Sequence, residues 1–66
     1  MMKVVCIEKH KNCPSSEEID DVLYLDTTTV FGVFDGNWYG EMYKKDENEK
    51  FVKVGIRLLS RFKNAW

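Results

Sequence analysis

The chain has 66 residues, 44% hydrophobic and 14% aromatic, with a net charge of −1. That length allows one domain with a small core, and the aromatic and β-branched content sets the chain apart from disordered sequences. The near-neutral charge argues against a protein that grips nucleic acid mainly by neutralising phosphates.

Residues 3–9, KVVCIEK, form a short β-branched run and predict a first strand. Residues 10–21, HKNCPSSEEIDD, are polar, hold the only proline and predict a long loop. Ser15 and Glu18 have capping-box spacing, but no sustained apolar period follows to carry a helix. VLYLD at 22–26 and TTTVFGVF at 27–34 predict strands, and DGN at 35–37 predicts a tight turn. WYGEMYKK at 38–45 is the return strand, DENEK at 46–50 a charged turn, and FVKVGI at 51–56 a further strand. In RLLSRFKNAW, 57–66, the apolar residues recur nearer to a helical period, which predicts a short closing helical turn and a tail. The whole predicts a single all-β domain over residues 1–66, with a five-stranded antiparallel sheet curled into a small barrel that hides its open edges.

Strand alternation sorts the side chains. On 38–44, Trp38, Gly40 and Met42 share an uncharged face that predicts the interior, while Tyr39, Glu41 and Tyr43 face outward. On the next strand the same rule predicts Val52, Val54 and Ile56 inside, with Phe51, Lys53 and Gly55 outside. Both faces of 30–34 are apolar, which fits either a covered central strand or an exposed contact patch.

The charges are unevenly distributed. Seven acidic residues and no Lys or Arg lie between Cys13 and Tyr43, and all ten basic residues lie in the flanks. Glu17, Glu18, Asp20 and Asp21 form an acidic loop that could be simply solvated or could dock a basic partner. Tyr39 and Tyr43 are candidate contact anchors, because tyrosine is enriched at binding hot spots. Lys44, Lys45, Lys53, Arg57 and Arg61 form the alternative, a basic surface for nucleic acid. Cys6, His10 and Cys13 place three soft ligands within eight residues, a weak candidate zinc set, and the two cysteines are also compatible with free thiols or a disulfide. No constellation with catalytic geometry is evident, so a non-enzymatic chain without a cofactor is expected. With no apolar run long enough to span a membrane and only two cysteines, a cytoplasmic protein is expected, and open sheet edges are compatible with a homodimer.

GIRLLSRF at 55–62 resembles the end of small Src-homology-3-like barrel proteins of bacteria and their phages, in which a glycine, strand residues and a single turn precede Arg-Phe. Gly55, Ile56, Arg61 and Phe62 match that spacing, Lys3 to Ile7 resembles the family's first strand, and Gly40 and Glu41 follow an aromatic pair as they do there. The chain departs from the pattern at Leu58, where a proline would open the turn, and at Ile56 and Arg57, where aromatics are usual. Anchoring on Gly40 sets Asn37 at the ligand-contacting tryptophan position, and anchoring on Trp38 sets Trp38 there; in neither case is the polyproline-binding groove kept. The resemblance implies a five-stranded barrel with a C-terminal turn, a protein-interaction or accessory role, and a phage or prophage setting.

Overall fold

The computed structural model of the chain describes residues 1–10, 17–32 and 36–65. Ser15 of the capping box, Cys13, Val33, Phe34, Asp35 and Trp66 lie outside the described residues. The fold is all-β: β1 (Met2–Cys6), β2 (Val22–Leu25), β3 (Phe31–Gly32), β4 (Trp38–Lys45), β5 (Phe51–Leu58) and β6 (Phe62–Asn64), with 3-10 turns at Thr27–Thr29 and Leu59–Arg61. All pairings are antiparallel. β6 pairs with β1, β1 with β2 and β2 with β4; β4 also takes β3 on that side and β5 on the other. The sheet curls into a half-barrel around its inner face.

The described strands number six rather than five because β6 is a strand of its own; the 27–34 run still gives one strand, β3, but is interrupted. Asp26 causes the interruption. Its carboxylate accepts the Thr28 amide at 3.0 Å and the Thr28 hydroxyl at 2.6 Å, and the Thr29 hydroxyl donates to the Asp26 carbonyl at 2.8 Å. These local bonds outcompete the strand preference of three threonines. Thr29 Oγ1 then accepts the Glu41 amide at 3.0 Å, tying the turn to β4. The DENEK turn is organised in the same way: Asp46 Oδ1 accepts the amides of Asn48 and Lys50 at 2.8 and 3.0 Å, and Glu49 takes a left-handed φ of 61°.

Val4, Cys6, Leu23, Leu25, Met42 and Phe62 form the core, with Met2, Val54 and Leu59 packed against it. Alternation accounts for this directly: Val4 and Cys6 on β1 oppose Leu23 on β2 and Phe62 on β6, and Leu25 opposes Met42. Gly40 lets this layer close. A Cβ placed there would sit 2.6 Å from Leu25 Cδ1, with Leu59 and Val30 methyls at 3.5 and 3.6 Å.

Two expectations about the faces are corrected. Gly40 and Met42 are buried as the alternation predicts, but Trp38 is 58% exposed. It begins β4 beyond the core, opposite Gly32 on the two-residue β3. Its indole lies across that glycine, with ring atoms 3.2–3.3 Å from where a Gly32 Cβ would be. On β5, Val54 is half-buried, whereas Val52 and Ile56 are exposed, Ile56 by 51%. The cause is a bulge. Met42 pairs with Gly55 and Tyr43 with Lys53, so Val54 is an extra residue on β5. One extra residue reverses every later side chain, and Ile56 is opposite the outward Glu41. Gly55, at φ +134°, takes the backbone conformation the bulge requires, which a side chain would strain. Val52 keeps its parity but is opposite Lys44, past the end of the core.

Candidate functional site

The register assembles a continuous outer face. Lys3 of β1 is opposite Tyr24 of β2, Tyr24 is opposite Tyr43 of β4, and Tyr43 is opposite Lys53 of β5. This row, cation–aromatic–aromatic–cation, crosses four adjacent strands. Val5 and Lys63 extend the same face on β1 and β6, while Lys45 and Phe51 are opposite one another beside the row. Toward the other end Phe31 is opposite Tyr39, and Tyr39 is opposite Leu58.

The rings are organised by mutual contact. Tyr24 and Phe51 meet edge to face with centroids 5.2 Å apart, and Phe31 and Tyr39 stack at 5.8 Å. Lys45 Nζ lies 5.1 Å from the Tyr24 ring centre and 5.7 Å from that of Phe51. Tyr24, Tyr39 and Tyr43 are half-buried, whereas Phe31 and Phe51 are exposed. Glu41 is the one carboxylate on this face among the described residues of β1 to β6. Lys53 Nζ donates to it at 2.8 Å, and that bond, with the carboxylate's charge, raises the Lys53 pKa.

The acidic loop does not act as one unit. Glu17 points inward, its side chain 12% exposed, and Oε1 accepts from Arg57 Nε at 3.0 Å and Arg61 Nη2 at 3.5 Å. Burial pushes the Glu17 pKa upward, but the Arg57 hydrogen bond and charge, helped by Arg61, outweigh it and hold the carboxyl below its usual value. Glu18 pairs with Lys9 at 2.7 Å, and Asp21 Oδ2 accepts the Glu18 amide at 3.0 Å. Asp20 adopts a left-handed φ of 77°, and its amide donates to the Cys6 carbonyl at 2.8 Å. Glu18, Asp20 and Asp21 remain exposed at the end of the β1–β2 pair, whereas Glu17 is half-buried against Arg57 and Arg61.

The expected basic group is also divided. Lys45 and Lys53 are on the outer face, and Lys44 is on the opposite side of β4. Arg57 is engaged by Glu17. Arg61, 4% exposed, donates through Nε to the Glu8 carbonyl at 2.9 Å, lies 3.9 Å from Cys6 Sγ and covers the Phe62 ring. Burial removes Arg61 from the groups a phosphate could reach. Cys6 is a fully buried free thiol whose Sγ is 3.4 Å from the Glu8 carbonyl. His10 is exposed, and among the described residues no group of three His, Cys, Asp or Glu side chains is arranged for a metal. No helix among them is long and apolar enough to cross a membrane.

Sequence reasoning singled out Tyr39, Tyr43, Lys45 and Lys53 but missed Lys3, Tyr24 and Phe51. The alternation in Lys3-Val4-Val5-Cys6 and Leu23-Tyr24-Leu25 marks Lys3 and Tyr24 as outward, yet only the register places them in one row. Compared with known proteins, the chain matches no family model, no curated protein and no solved structure.

Proposed function

We propose that this chain is a non-enzymatic protein-interaction module built on a small Src-homology-3-like barrel, with the outer sheet face as its docking surface. The observation that carries the reading is the projection of Tyr39 and Tyr43 from one strand onto a face shared with Tyr24, Phe31 and Phe51. Tyr39, stacked on Phe31, and Tyr24, edge-to-face with Phe51, lose little conformational freedom when a partner covers them, a property of interface anchors. The barrel reading draws support from the return of β6 onto β1 and from the 3-10 turn directly before Phe62. Glu18, Asp20 and Asp21 serve as a secondary, electrostatic contact. An accessory role in a phage or prophage setting follows from the resemblance alone.

The test is affinity capture with the immobilised full chain and with its Tyr39→Ala and Tyr43→Ala variants, each first shown by circular dichroism to be folded. Loss of the same captured proteins from both variants, with retention by a Glu47→Ala control in the distant turn, is the expected result. Equal capture by all four chains refutes the tyrosine face as the docking surface.

A further inference from the structure

Resting on the outer face as the docking surface, we infer that it binds an extended acidic segment of a protein partner, with two carboxylates flanking an apolar side chain. Lys3 and Lys53 end a row whose middle is Tyr24 and Tyr43. With strands about 4.8 Å apart, the three intervals from β1 to β5 span about 14 Å. An extended chain rises about 3.4 Å per residue, so carboxylates four positions apart match the two lysines. The side chain midway between them projects from the same side of an extended segment and falls on the tyrosines. Lys45 and Lys63 add positive charge to this face; Glu41 offsets part of the Lys53 charge, but the Lys53 side chain is 53% exposed and its ammonium keeps donors for a second carboxylate.

The charge of the face selects the ligand's sign, and the rings select its kind. Single-stranded nucleic acid binds small barrels by stacking bases on open ring faces. Here Lys45 lies over Tyr24 and Phe51, while Phe31 and Tyr39 cover each other. The four rings so occupied offer edges and hydroxyls, which suit peptide side chains and carbonyls better than bases, and Tyr43 is a single ring rather than a run of stacking faces. A second copy of the chain would present the same cations to one another across a two-fold axis.

The experiment is a nuclear magnetic resonance titration of the 15N-labelled full chain with four probes. These are the blocked peptide Gly-Glu-Ser-Leu-Ser-Glu-Gly, its Gln-for-Glu and Lys-for-Glu counterparts, and a ten-residue oligothymidylate. The expected result is that the acidic peptide alone shifts amides around Lys3, Tyr24, Tyr43 and Lys53. Lys3→Gln and Lys53→Gln, both exposed, should each weaken the acidic peptide about threefold or more, and 0.5 M salt should weaken it further. Equal shifts with the neutral peptide overturn the charge requirement while leaving the face as a docking surface. Tighter binding of the oligothymidylate to this row assigns it to nucleic acid instead. Concentration-dependent association, detected by light scattering and abolished by Lys53→Glu, assigns it to a second copy. No shift from the acidic peptide at millimolar concentration refutes the inference; the tyrosine-dependent capture described above can still succeed in that case, so the two readings fail separately.

Discussion

Replacing Glu17 with Gln removes the charge that holds Arg57 and Arg61, and the structure sets the size of the loss. Glu17 Oε1 is 3.0 Å from Arg57 Nε and 3.5 Å from Arg61 Nη2. At an effective dielectric constant of 20, the two pairs are worth about 5.5 and 4.7 kcal/mol of gross attraction, most of it offset by desolvation. Removing one partner from a buried pair typically costs about 3–5 kcal/mol. Arg57 is more exposed, and Arg61 keeps its bond to the Glu8 carbonyl. Both facts lower the expected cost of Glu17→Gln to about 2–3 kcal/mol, a large fraction of the stability of a small domain. Urea denaturation at pH 7 measures it directly, and thermal melting should show a fall in Tm of at least about 10 °C. The pH dependence gives a second reading. The folded pKa of Glu17 is depressed, so its contribution is fully present above the unfolded value of 4.5 and is lost as pH falls through the lower folded value. Wild type and Glu17→Gln should therefore converge in acid. A difference below about 0.5 kcal/mol at pH 7, the scale of an ordinary surface substitution, or a difference that does not shrink in acid, would show that the cluster is not a stabilising ion pair.

Three further substitutions probe the sheet. Gly40→Ala must displace the packed Leu25 side chain, and a loss of about 1–2 kcal/mol in urea denaturation is expected; no loss would mean the layer has room. Trp38→Ala should cost less than about 1 kcal/mol because the indole is largely exposed, far below the roughly 3–5 kcal/mol of a core aromatic, so a large loss would return Trp38 to the interior. Ile56→Ser should be within about 0.5 kcal/mol of wild type if the bulge turns it outward; a cost near 2–3 kcal/mol would place it inside and invalidate the register.

The all-β architecture was legible because turn residues and alternation recur along the chain. Gly40 and Met42 were placed inside by the absence of charge on their face, and Tyr39 and Tyr43 outside by Glu41 between them. Three features were not legible. The bulge depends on where β4 and β5 pair, and Val52, Val54 and Ile56 alternate as if no extra residue existed. Trp38 fails the face rule because a face is buried only where something covers it, and the residue opposite Trp38 on β3 is Gly32, which has no side chain to do so. Glu17 is indistinguishable in sequence from Glu18, yet one is held by two arginines from 40 and 44 residues away while the other pairs on the surface. The candidate site was visible as single residues and invisible as a row, because Lys3, Tyr24, Tyr43 and Lys53 meet only through three separate strand pairings.

The placement of Arg61 has a consequence for the order in which the fold assembles. The β4–β5 hairpin joins strands separated by five residues and can close early. β1 is made long before its partner β6, and Arg61 meets the Glu8 carbonyl across 53 residues of chain. One edge of β1 is therefore filled only when the segment from the Leu59–Arg61 turn to β6 has folded back onto it. A chain shortened before this turn would lose both Arg61 and β6, and would leave along β1 an open strand edge, a template for aggregation that the folded sheet fills.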